Sequence, residues 1–151
     1  MMMDSEFWIM DEFFSNLWLN YNRMFQLSDR LSKRVALLLL SVFFIIAGVN
    51  HFLNPDFYIA IIPPYLPFHH ELNFISGFFE ILGGIMVLPS RFRVKAGMGL
   101  VVLLLAIFPA NIHMALHPEL FQDLNTNAIY VRLPFQIIFI IWVYWATHDS
   151  K

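Results

Sequence analysis

The chain has 151 residues, of which 59% are hydrophobic, 17% aromatic and only 13% charged, with a net charge of -2 and a mean hydropathy of +0.64. Soluble domains carry about 25% charged residues, so an ordinary soluble domain is excluded, and the wealth of Leu, Ile and Phe excludes a solvated, disordered chain. The slightly acidic balance lacks the basic face of a nucleic-acid binder, and the absence of cysteine removes disulfides, thiolate metal sites and thiol nucleophiles together.

Residues 1–32 open with Asp4, Glu6, Asp11 and Glu12, where a secretory signal would carry basic residues. Phe7, Met10, Phe14, Leu17, Trp18, Tyr21, Met24 and Phe25 recur at helical spacing. That pattern predicts an amphipathic helix on the membrane surface. The acidic start fits packing against a helical bundle equally well, and initiation at Met24 would remove most of the segment.

Four apolar runs follow, at about 35–53, 72–89, 96–116 and 129–146. Crossing roughly 30 Å of hydrocarbon takes about 20 helical residues, and only helices satisfy the backbone of runs that do not alternate in polarity. An all-α, four-helix transmembrane bundle over residues 33–147 is therefore expected, with 148–151 as a short tail. The second and fourth runs are short and contain Glu80 and Arg132, so neighbouring helices must carry them. Arg23, Arg30, Lys33 and Arg34 precede the first run, Arg91, Arg93 and Lys95 are expected in the turn between the second and third, and Lys151 ends the chain. Eight of the nine Lys and Arg residues thus fall on one side, which the positive-inside rule makes cytoplasmic, with both termini inside. Trp142, Tyr144 and Trp145 suit an inner aromatic belt, and Tyr58, Tyr65 and Tyr130 an outer one.

The connection 54–71 contains Pro63, Pro64 and Pro67, which forbid a continuous helix, yet Phe57, Tyr58, Ile61, Ile62, Tyr65 and Leu66 are too apolar for free solution. A short interfacial helix and a proline-fixed cap over the outer end reconcile the two; the alternative is a loop resting on the bilayer.

Ionisable groups inside hydrocarbon cost roughly 2.5–3.5 kcal/mol each even on insertion scales, so each needs a reason. Glu80 shares a stripe with Ser76, Gly77, Gly83 and Gly84, small residues that admit a neighbouring helix, and so is expected to face protein. Arg132 and Gln136 lie at i and i+4; His51 ends the first run, and Asn111 follows Pro109 near the end of the third. With antiparallel helices, His51, Glu80, Asn111, Arg132 and Gln136 meet around one cavity in the outer half, as a binding site or as polar ties that hold the bundle. Five of the six histidines, His51, His69, His70, His113 and His117, also fall on the outer side, and His113 with His117 has the i,i+4 spacing of a zinc pair, but no HExxH surrounds them and no metal is expected. Phosphate, dinucleotide, haem and serine-nucleophile fingerprints are absent.

Several blocks in order, AGVNHFLNPDFY, IIPPYLP, SGFFEILGGI, FPANIHMALHP and VRLPFQ, make residues 35–147 resemble the DoxX family of small four-helix membrane proteins. The resemblance implies residence in a bacterial inner membrane and a site drawn from His51, Pro55, Glu80, Asn111, Arg132 and Gln136. It also implies association with redox machinery, through a quinone or a sulfur compound, or a noncatalytic role in assembly; no reaction is carried over. Lipid is the expected surroundings, with a membrane redox subunit or a second copy as partner and a quinone as the one cofactor to consider.

Overall fold

The structure, a computed structural model, describes residues 31–121 and 125–148 together with 12, 15–17, 19 and 20. The few described residues before 31 are helical and exposed; the amphipathic pattern expected of that segment lies for the most part outside the described residues, as do Arg23, Arg30 and Lys151.

The elements in order are α1 (Leu31–Leu53), the short α2 (Pro55–Ile61), α3 (His69–Met86), α4 (Ser90–Leu116), a 3-10 turn (Pro118–Leu120) and α5 (Thr126–Thr147), with no strand among the described residues. Three of these helices, α1, α4 and α5, are long and apolar enough to cross a membrane. At 18 residues α3 is about 27 Å long, but His69, His70, Glu71, Asn73 and Glu80 dilute its apolar run.

Each long helix begins before its apolar run does. Polarity marks where lipid contact stops, whereas a helix continues for as long as its backbone donors find acceptors four residues back. Two expectations are corrected by this. Arg91, Arg93 and Lys95 occupy the first two turns of α4, and the connection is only Val87–Pro89; His69 and His70 open α3 and do not belong to a loop. The connection 54–71 does hold a short helix, started by Pro55 at its first position and followed by the prolines. Phe68, in the left-handed region at φ 61°, swings the chain into α3, and His69 Nε2 donates to the Pro63 carbonyl at 3.1 Å, tying the proline segment to the helix it precedes.

Successive helices are antiparallel, and glycine sets how closely they pass. A Cβ on Gly48 of α1 would stand 2.6 Å from the Gly77 carbonyl oxygen of α3, and one on Gly84 would stand 2.9 Å from the Ser41 carbonyl oxygen. The two backbones touch there. Gly97 of α4 packs in the same way on the Thr147 side chain of α5, and Gly83 receives Leu100. Without a hydrophobic force between helices in lipid, such close contacts, which multiply dispersion attraction, are what holds a bundle.

The apolar core is divided. One cluster, with Leu37, Leu40, Phe44, Val87, Leu100 and Val143, fills the end that carries the basic residues; a smaller one, Ile61, Ala110, Met114 and Ile129, fills the other. At the basic end two cations are buried as helix caps. Lys33 Nζ donates to the His148 carbonyl just past α5, and Arg93 donates to the Val87 and Leu88 carbonyls past α3, at 3.1 and 2.9 Å. Both satisfy acceptors that a helix end leaves free, where the dipole favours positive charge. Of the belt residues, Tyr65 and Tyr130 are exposed as expected, whereas Trp142 packs on the core and Tyr58 turns inward.

Gly48→Ala should destabilise the bundle by about 1–3 kcal/mol, because the added methyl meets backbone. Gly99→Ala, whose Cβ meets nothing within 4 Å, should be neutral or mildly stabilising. Thermal unfolding of the two variants in one detergent checks the contrast.

Candidate functional site

Between the two core clusters lies a cavity of about 480 Å³, within the roughly 300–1,000 Å³ of ordinary ligand pockets. His51, Glu80, Asn111, Arg132 and Gln136 all line it. Its roof is the connection expected to cap the bundle, through Tyr58, Ile61, Ile62, Pro63 and Leu66, and most of the remaining wall is apolar, including Phe44, Leu104, Ile107 and Phe139. Phe43 and Phe135 line the cavity and are also exposed on the outer surface of the bundle, so the space reaches the lipid-facing side between α1 and α5.

One polar wall is built by the α1–α3 crossing. Asn73, buried on α3, donates from Nδ2 to the His51 backbone carbonyl at 3.0 Å, which turns its Oδ1 toward His51 Nδ1 at 2.8 Å. An amide oxygen only accepts, so Nδ1 carries the proton and Nε2 points onward. Nε2 lies 3.6 Å from Glu80 Oε2. At that distance the two atoms are in ion-pair range without a hydrogen bond, and a proton on either one removes the repulsion between a carboxylate and an imidazole lone pair. Oε2 is the one fully buried side-chain oxygen or nitrogen without a hydrogen bond among the described residues, and it sits on the cavity wall. Tyr58 stacks on the His51 ring at 3.7 Å between centroids and accepts from Asn50 Nδ2 at 2.8 Å, while Asn54 donates back to Asn50.

The other polar wall belongs to α4 and α5. Asn111 donates to Gln136 Oε1 at 2.6 Å, and Gln136 donates to the Leu104 carbonyl, one residue from the Leu105 carbonyl that Pro109 deprives of its helical donor. Both amides are thus engaged as ties across the weak point of α4. Arg132 differs: its Nη1 lies 3.4 Å from Met114 Sδ and its guanidinium 5.5 Å from the Phe57 ring, with no acidic partner among the described residues. Glu80 and Arg132 therefore do not pair with each other; each borders the same open space from its own wall.

The remaining histidines serve elsewhere. The rings of His113 and His117 lie 4.8 Å apart, tilted by 53°, at the end of α4, and His117 Nδ1 pairs with the exposed Glu119 at 3.2 Å. A hydrogen bond to its own backbone N–H and then the His117 contact hold the Glu119 carboxyl below its usual range. No group of three or more metal-ligating side chains occurs among the described residues.

Two residues of the site went unnoticed in the sequence. Asn73, Gly77 and Glu80 follow i, i+4, i+7 spacing along one face of α3, a signal that was available. Tyr58 carried none, since an interfacial tyrosine reads the same way whichever direction it faces.

Together the antiparallel helices and the roofed polar cavity describe a helical membrane protein with an internal, partly lipid-open pocket. Over residues 40–147 the chain matches the family described as Domain of unknown function (DUF8561), and it belongs to that family. No curated protein and no solved structure matches it.

Asn73→Ala should leave His51 with mixed tautomers where the native ring has its proton on Nδ1, read from the nitrogen-15 shifts of labelled histidine. The lost pair of hydrogen bonds should cost about 1–3 kcal/mol in thermal unfolding.

Proposed function

We propose that the chain is a four-span membrane protein, with α3 as the fourth crossing and the basic end cytoplasmic, whose cavity binds the head of a quinone as part of a redox-associated complex. The observation that carries this is the cavity itself: apolar and aromatic for most of its lining, with a proton-bearing His51–Glu80 pair on one wall and the Arg132 guanidinium on another. Buried polar groups in a membrane interior are functional by default, and Arg132 and Glu80 retain bonding capacity that the bundle does not consume.

A quinone ring is flat and apolar with two carbonyl acceptors. Arg132 supplies donors to one, a proton on Glu80 Oε2 or His51 Nε2 is donated to the other, and Tyr58, Phe44 and Phe139 supply the aromatic walls. A bound quinone would contribute the capacity to take up two electrons and two protons. The protein's own part is to orient the ring, exclude water and keep a proton at Nε2 or Oε2. A small sulfur oxyanion suits this lining less well, because Glu80 would repel it and Arg132 is the one cation on the wall. The orientation follows from the positive-inside bias, and the ordered blocks shared with the DoxX family support residence in a bacterial inner membrane with a redox subunit or a second copy as partner.

The second reading, a noncatalytic assembly protein, draws on a different observation: Asn111 and Gln136 hydrogen-bond in joining α4 to α5. In that reading the cavity would hold nothing, and a crosslinking pull-down would recover a stable membrane partner.

Purification in mild detergent, extraction of bound quinone and titration with a soluble quinone analogue test the proposal. The wild type should retain quinone, and Arg132→Ala and Glu80→Gln should each weaken the analogue about tenfold or more, the scale of one charge-assisted hydrogen bond. No retained quinone and no analogue binding by the wild type would sink it.

A further inference from the structure

A second concavity runs between α3 and α4, with a volume of about 580 Å³ and a lining that shares only Ala106 with the polar cavity. Its floor is the contact of Leu100 with Gly83, so α3 and α4 touch beneath it and a helix about 10 Å wide cannot enter. Gly99 forms part of the wall, and no neighbouring atom stands within 4 Å of where its Cβ would be. The groove is almost wholly apolar.

Its open end is basic. Lys95 belongs to the lining, and Arg91, one turn earlier on α4, lies over Phe92, another lining residue, at 5.5 Å. Both cations are exposed and neither has an acidic partner among the described residues. From Lys95 to Ala106 is eleven residues, or about 16 Å of helix, and one leaflet of a bilayer is about 15 Å of hydrocarbon deep. The groove therefore has the length of one acyl chain and carries positive charge where that chain's headgroup would lie.

We infer that the α3–α4 groove seats one acyl chain of an acidic phospholipid, with the phosphate against Lys95 and Arg91. Basic pockets between spans on the side rich in Lys and Arg select anionic headgroups, at a gain of about fivefold per cation. Such a lipid would fill the space between α3 and α4 and would shield the apolar α3 residues Phe79, Leu82 and Met86. The site is independent of any ligand in the polar cavity.

Native mass spectrometry of the full chain, in micelles with equal amounts of phosphatidylglycerol and phosphatidylcholine of identical acyl chains, tests it. The wild type should keep one phosphatidylglycerol in preference to phosphatidylcholine. Gly99→Phe, whose ring points into open space, should lose that lipid at an unchanged unfolding temperature, and Lys95→Gln should cut the preference about fivefold while still retaining lipid. Equal retention of the two lipids by the wild type would overturn the inference, as would phosphatidylglycerol retention that Gly99→Phe leaves intact. A dimer abolished by Gly99→Phe would assign the groove to a second copy. Should Gly99→Phe not fold, Lys95→Gln decides alone, since it alters no packing; an unchanged headgroup preference there overturns the inference.

Discussion

The backbone contact of α1 with α3 at Gly48 and Gly77 is the constraint on which the molecule turns. No other residue type allows the Gly77 carbonyl to lie where the Cβ of residue 48 would be. Because the helices meet there, His51, one turn along α1, and Asn73, one turn back along α3, are close enough for two hydrogen bonds. Glu80, about one turn further on, then comes under the His51 ring. A looser crossing would put lipid between these groups and leave each polar atom to bear its own desolvation.

The α4–α5 pair follows a different logic. It is closed at the basic end by Gly97 against Thr147, while further along each helix carries a proline, Pro109 and Pro134, that removes a backbone donor. Gln136 and Asn111 hold the helices together at that weak point. One side of the bundle is thus joined through glycine backbone contact and the other through amide ties beside the prolines. The cavity is the space that results, and the proline-rich connection after α2 closes it above.

This division explains why six polar residues from four helices share a site without sharing a task. Asn111 and Gln136 complete each other, and Asn73 fixes the imidazole. Glu80 and Arg132 are left with unused capacity, directed at the space between them. Charge at the opposite end is handled otherwise: Lys33 and Arg93 are absorbed as caps, while Arg91 and Lys95 remain outward.

The sequence by itself determined that the described core is all helix, where its apolar runs lie, and that Glu80 shares a stripe with small residues, because helical periodicity and the aversion of hydrocarbon to unpaired polar groups act along the chain. It also showed that the polar residues of separate runs fall at one level, since rise per residue converts position into depth. Only the tertiary structure decided the partners. Glu80 faces His51 and not Arg132, Asn73 sets the ring, and Tyr58 leaves the interface to stack inside. Those choices depend on which faces of neighbouring helices meet and at what rotation, which the crossing at Gly48 and Gly77 fixes and which no single helix encodes alone.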